Sequence, residues 1–517
     1  MNCIPGACRA ILLFLSLACA SAALAAPTVQ APLDARELSR RLHVDQPGPL
    51  WLSEGPERAR LAIRLLRRAG DHGLDAASYG SEELARRLDS VRDPAATAVL
   101  DHDISTAMLR YLAELHFGRM VSGYRSGAPV TADFDPVAHL RQALAEGGLE
   151  QAVESAAPDI VLYGRVKSAL AHYRELAALA PQWPALPPGT ASGVPYAGAA
   201  LLCERLRLLG DLDAGAADCS QVQGAALKTA LRRFQGRHGL AQDGVPARAT
   251  LAALAVPPAQ RASQLALTLE RLRWLPPLPR GRIVAVNVPT YRLWAFDTAA
   301  DAAAPVMEMR VIVGSAGRTQ TPLFIGQMRY LEFNPYWNIP PSILSSEIVP
   351  KLAHNPAYLE QNDMELVGTD GQVLRLPPDT ALAVLRRGAA RVRQRPGARN
   401  VLGEVKFAMP NPMNIYLHST SSKELFERAR RDLSHGCIRV ARPADLAQFV
   451  LADPQRWDAA AVAAAMFPGP MRTVRLAQPV PVVLFYATAL ADHEGKALFA
   501  QDIYRQDGPL ARALGLR

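Results

Sequence analysis

Residues 414–440 read NIYLHSTSSKELFERARRDLSHGCIRV. Cys437 is the only cysteine of the C-terminal half, with His435 two residues before it and His418 nineteen before it. A thiol attacks as its thiolate, and a free cysteine near pKa ~8.5 needs an imidazole or backbone amides to reach that state. Either histidine can serve. Alternation over 413–418 predicts a strand ending on His418, 423–430 a short helix, and Ser434-His435-Gly436-Cys437 a tight turn. Gly436 relieves the turn of bulk, so that amides near Gly436 and Cys437 face a developing oxyanion. Arg439 adds a fixed charge suited to a substrate carboxylate. No further ligand cluster accompanies Cys437, so neither a metal nor another cofactor is expected.

Outward from this stretch, period-2 runs at 283–288, 292–296, 307–313 and 329–333 predict a mainly β domain over 281–507, closed by strands at 480–487 and 497–500. A Gly-rich loop at 314–321 lacks the Gly-Lys-Ser/Thr ending of a phosphate loop. The strands are interrupted at 335–400 by an insertion that reads as largely helical. It returns directly to the His418 strand, which predicts a lid over the site. Its end is basic, with Arg386, Arg387, Arg391, Arg393, Arg395 and Arg399. Such a run is usually a solvated face, and its alternative is a rim for substrate carboxylates. Tyr336 and Trp337 are candidates to stack on substrate, against an ordinary role as core aromatics.

Toward the N-terminus the period becomes helical. Residues 32–195 form a helical scaffold, 196–256 a three-helix unit after a Pro-rich linker, and 257–280 a connecting helix, giving a multidomain α+β chain. Residues 1–25 carry one basic residue, an apolar run and Ala23-Leu24-Ala25, the pattern of a signal peptide, with an uncleaved inner-membrane anchor as the alternative. Export to the periplasm removes Cys3, Cys8 and Cys19 and leaves Cys203, Cys219 and Cys437 in an oxidising compartment. In a three-helix unit the first two lie near each other across 15 residues, which predicts a Cys203–Cys219 disulfide and a free Cys437. The net charge of +9 favours polyanions. Export and the lack of any nucleic-acid motif turn that preference from nucleic acid to an acidic wall polymer.

His418 followed by Ser434-His435-Gly436-Cys437-Ile438-Arg439 resembles the signature of the YkuD-type L,D-transpeptidases. Arg439 stands where many members carry Asn, as in the large periplasmic YcbB-like subgroup. Similar marks of that subgroup are His72-Gly73-Leu74-Asp75, Leu109-Arg110-Tyr111, Phe117-Gly118-Arg119, the stretch Leu269-Glu270-Arg271-Leu272-Arg273-Trp274-Leu275-Pro276, and Asn334-Pro335-Tyr336-Trp337-Asn338-Ile339-Pro340-Pro341. Phe234-Gln235, His238-Gly239-Leu240, Asp243-Gly244-Val245 and Thr250-Leu251 resemble a peptidoglycan-binding domain, although the same residues also serve to build a small core. The resemblance implies Cys437 as nucleophile, His418 as base, a Ser419 carbonyl orienting the imidazole, and Ser434, His435 and Gly436 shaping the turn. It also implies transfer of a tetrapeptide stem to a neighbouring stem amine with loss of D-alanine, forming a 3→3 crosslink. Peptidoglycan stem peptides and glycan are then the partners, and oligomeric state stays open. Rival readings are water or a lipoprotein lysine as acceptor, a cysteine peptidase, and a non-catalytic wall-binding scaffold.

Overall fold

The alternation that begins at Arg282 builds the sheet carrying residues 414–440. The computed structural model describes residues 34–44, 48–120, 134–188, 196–213, 225–301 and 303–516. The expected signal segment, 1–25, lies outside the described residues. Strands β1 (Arg282–Asn287), β2 (Arg292–Asp297), β3 (Met307–Gly314) and β4 (Phe324–Phe333) come first. The insertion holds β5 (Trp337–Asn338), β6 (Met364–Gly368), β7 (Val373–Leu374) and β8 (Ala390–Gln394). Then follow β9 (Val405–Ala408), β10 (Leu417–His418), β11 (Asp432–Ser434), β12 (Ile438–Val440) and β13 (Arg472–Phe485). The order β3-β12-β10-β9-β4-β13-β1-β2 closes on itself because β2 also pairs with β3, and β11 adds to the end of β3. Closure leaves one face of each strand to fill a common interior. Val284, Leu293, Val311, Leu331, Phe407 and Leu417, all fully buried, fill it.

The main sheet meets expectation apart from its edges. The strand expected at 413–418 is shorter, because Asn414 has φ +54° and only Leu417–His418 pair. The helix expected at 423–430 is a single 3₁₀ turn, Lys423–Glu427. The last short strands, β14 (Ala489–Ala491) and β15 (Ala497–Phe499), form a separate hairpin against helices Val161–Leu179 and Pro258–Arg273.

The insertion corrects the expectation of a largely helical lid. It is an α/β unit whose four strands pair in the order β5-β8-β6-β7, flanked by helices including Val349–His354 and Pro378–Arg386. In β8 the basic run alternates. Ala390, Val392 and Gln394 point inward, while Arg391 is exposed and Arg393 half-buried. Four of these six arginines are engaged within the insertion: Arg393 with Glu365 at 2.5 Å, Arg399 with Asp363 at 2.7 Å, Arg395 with Asp363 at 3.5 Å, and Arg391 with Asn338 Oδ1 at 3.0 Å. The neck is held by Asn334, whose backbone N–H donates to Glu404 O at 2.8 Å, and by Asn400, whose Nδ2 donates to Pro335 O at 2.9 Å.

Helix Pro258–Arg273 joins the parts. Leu265, Ala266, Leu269 and Leu272 pack on Tyr163, Val166 and Leu170 of the scaffold. Buried Glu270 accepts the backbone N–H groups of Arg119 (2.6 Å) and Met120 (3.0 Å) and the Trp274 Nε1 (3.1 Å), and pairs with Arg273 at 3.1 Å. Arg273 also reaches Tyr163 Oη at 3.0 Å and the carbonyl of His72. The marks around His72, Gly118 and Glu270 thus meet in one buried knot.

In the three-helix unit, Leu202, Leu206, Leu231, Phe234 and Leu254 form the core. Gln235 bridges its turn, donating to Asp243 (2.7 Å) and Thr250 Oγ1 (3.1 Å) and accepting from Gly244 N (2.8 Å). The glutamine and the glycine turn of this motif therefore act structurally. Arg237, paired with Asp211 at 2.5 Å and donating to Tyr173 Oη at 3.1 Å, docks the unit on the scaffold. Cys203 is buried and disulfide-bonded, and Cys437 is a free cysteine; Cys219, named above as the partner of Cys203, lies outside the described residues. Among the described residues no helix is long and apolar enough to cross a membrane.

Candidate active site

β10 and β12 run parallel, with Leu417 opposite Ile438 and His418 opposite Arg439. The Ile438 N–H donates to Tyr416 O at 3.1 Å, which sets Cys437 beside Tyr416. In a strand, residues two apart share a face, so Tyr416 with His418 and Cys437 with Arg439 stand on neighbouring strands. The turn between β11 and β12 is fixed from within. Gly436 has φ +115°, a value that favours glycine. Ser434 Oγ donates to Cys437 O at 2.6 Å and accepts from Gly436 N at 3.1 Å. The Gly436 amide, expected to face an oxyanion, is thus turned inward onto Ser434.

Beneath the turn lies the Gly-rich loop 314–321. Thr319 Oγ1 donates to Ser434 O at 2.9 Å and Thr321 Oγ1 to Gly436 O at 2.8 Å. Tyr504 from the C-terminal segment accepts from Thr321 N at 3.0 Å and donates to Gly314 O at 2.6 Å. The loop is a cradle for the cysteine turn, a role its composition did not announce.

Burial governs the titration of the central pair. It pushes the Cys437 thiol up, against hydrogen bonds from the Tyr416 amide and hydroxyl and the charges of Lys406 and Arg439. Burial also drives His418 down to about 3, aided by the Arg439 charge, while backbone hydrogen bonds at Ser419 and Leu402 oppose it. The resting pair is therefore neutral thiol and neutral imidazole. His418 is buried, and its Nδ1 has no hydrogen-bond partner among the described residues. A buried ring nitrogen left open is uncommon in folded proteins and calls for a reason.

The other predicted residues occupy distinct places. Ser419 directs its hydroxyl to Glu404, and its backbone hydrogen-bonds the His418 imidazole. His435 points outward, and its Nε2 donates to Glu347 Oε1 of the lid at 2.6 Å. Arg439 is half-buried and makes no hydrogen bond or ion pair among the described residues, whereas nearby Lys406 is paired with Glu332 at 2.9 Å. Tyr336 lies beneath the Arg393 guanidinium, 4.2 Å from ring centroid to charge, and Trp337 packs against the lid core. Both side chains help to build the insertion. Among the described residues no group of three or more His, Cys, Asp or Glu is arranged to hold a metal ion.

Sequence reasoning missed Tyr416, whose hydroxyl hydrogen-bonds the sulfur and whose ring stands 5.7 Å from that of His418, with Lys406 4.8 Å from its centroid. Its two-residue spacing from His418 was the available signal.

Comparison with known proteins finds matches to three family models. Residues 281–480 match the YkuD family model, described as the L,D-transpeptidase catalytic domain; 44–170 match a model described as "Scaffold domain", and 199–254 one described as "Putative peptidoglycan binding domain". A Haemophilus influenzae protein named "Putative L,D-transpeptidase" is 30% identical over 244 residues, 47% of this chain and 48% of that protein. The match thus spans about half the length of that curated relative. A crystal structure of an L,D-transpeptidase (residues 123–326) from Xylanimonas cellulosilytica is similar at 16% identity, covering 58% of this chain and 100% of that one, with a TM-score of 0.19.

Proposed function

We propose that the protein crosslinks peptidoglycan through a thioester on Cys437, a reading supported by the match of residues 281–480 to the YkuD L,D-transpeptidase catalytic domain. The donor is a tetrapeptide stem. As Sγ attacks the carbonyl of the third residue, the thiol proton passes to His418. The tetrahedral intermediate then collapses, the peptide bond to the terminal D-alanine breaks, and the departing amine takes that proton. A side-chain amine of a second stem attacks the thioester, gives its proton to His418 and releases the thiol, leaving a 3→3 crosslink. Arg439 holds a donor carboxylate as an unpaired guanidinium beside the nucleophile. Tyr416 offers a hydroxyl to the sulfur and to charge developing next to it.

The observation that carries this reading is the buried, unpartnered Nδ1 of His418 on the strand paired with the one Cys437 opens. A neutral imidazole with an open nitrogen can accept the thiol proton. Export to the periplasm and anchorage of the three-helix unit on glycan belong to the same proposal. The test is incubation of the full chain with purified disaccharide-tetrapeptide, followed by mass spectrometry. Crosslinked dimers that have lost one D-alanine support the proposal. Disaccharide-tripeptide alone makes water the acceptor, and unchanged substrate points to a binding scaffold.

A further inference from the structure

We propose that Glu347 is a positioning residue for the reaction of Cys437, latching the lid to the cysteine turn through His435; this rests on the functional reading above. Away from the neck, the hydrogen bond joining lid to catalytic domain among the described residues is His435 Nε2 to Glu347 Oε1, at 2.6 Å. Both ends are placed to transmit position. Glu347 sits in a π-helical turn, Leu344–Ile348, a widened geometry that is rare and recurs at functional sites. Ile343 and Ile348 on either side are buried in the lid core, so the carboxylate moves with the lid. Ser345 and Ser346 hydroxyls turn back onto Ser342 O. Lys351 stands 3.6 Å from the other carboxylate oxygen.

At the opposite end, His435 lies between Ser434, which fixes the Cys437 carbonyl, and Gly436, held at φ +115°. Rotation of the lid about its neck at Asn334 and Asn400 is therefore coupled, through one charge-assisted contact, to the backbone that carries the sulfur. The contact is partly exposed, so it biases closure without locking it. A lid held near the turn favours retention of a bound stem and limits access to the thiol by other reagents.

The test uses the full chain as wild type, Glu347→Ala and Glu347→Gln, with two readouts: steady-state kinetics on purified disaccharide-tetrapeptide, and the rate of Cys437 alkylation by iodoacetamide. Glu347→Ala is expected to raise KM and speed alkylation by about threefold to tenfold, with kcat little changed. Glu347→Gln, which keeps an acceptor for His435, should fall between Ala and wild type. Alkylation within twofold of wild type in Glu347→Ala, or a Gln variant no closer to wild type than Ala, overturns the latch. Inactivity of the wild-type chain on the stem substrate overturns the functional reading alone, because the alkylation arm still decides the latch.

Discussion

Two buried polar clusters in this chain are built from similar residue types to opposite ends. In the knot on helix Pro258–Arg273, Glu270 and Arg273 are fully enclosed, and Glu270 spends both carboxylate oxygens on named partners. In the catalytic stretch, His418 is as deeply enclosed, yet among the described residues its Nδ1 has no hydrogen-bond partner and the Arg439 guanidinium opposite it makes no ion pair. Burial of a polar group is costly unless it is matched by partners. The first cluster ties scaffold and connecting helix together. The second leaves these groups open among the described residues, as the proposed chemistry requires.

The sharpest way to break this contrast is to remove one member of each cluster and read activity and stability side by side. His418→Gln should lower kcat/KM by about a thousandfold, as loss of a general base does, while the denaturant midpoint stays near wild type. Arg273→Met should do the reverse. Leaving Glu270 buried and unpaired costs about 3–5 kcal/mol of stability, seen as a lower urea midpoint, with activity lost only as far as folding is lost. If His418→Gln destabilises as much as Arg273→Met, the contrast fails.

Arg439→Ala sharpens the catalytic side. It should raise KM for tetrapeptide about tenfold, since a charge-assisted hydrogen bond to carboxylate is lost, and should matter less for a donor whose C-terminus is amidated. Equal effects on both donors would remove the carboxylate role.

The smallest effect is a flat one. With His418 held near 3 and Cys437 above its ordinary range, the neutral pair persists across the physiological range, so kcat/KM should vary little between about pH 5 and 8. An acid limb at pH ~6.5, the ordinary value for histidine, would contradict the burial argument. Stability follows the same sign. The unfolded chain protonates His418 below pH ~6.5 while the folded chain does not, so this group's contribution falls as pH drops from there toward 3.

Much of the catalytic barrel was legible because its strands alternate over five or more residues, as at 283–288 and 307–313, where Val284, Val286, Val288, Met309, Val311 and Val313 face one interior. The lid's sheet was hidden. β5 and β7 have two residues each, and β8 presents arginines on its outer side, so composition spoke of a solvated surface while pairing with β6 decided the structure. Cys437 and His418 stood out as the thiol and imidazole of one motif. Tyr416, Thr321, Tyr504 and Glu347 did not, because their relation to Cys437 comes from strand register and from contacts between residues as far apart as Thr321 and Tyr504. Trp337, an aromatic beside a site motif, packs partly buried against the core of the insertion.

The central claim is that Cys437 carries the acyl group. Intact-protein mass spectrometry of the full chain, quenched in acid soon after mixing with disaccharide-tetrapeptide, tests it most directly. The account predicts an adduct equal to the stem without its terminal D-alanine, mapped to Cys437 after proteolysis and absent from Cys437→Ala. Crosslinked product formed by the Cys437→Ala protein, or an adduct on any other residue, would contradict it.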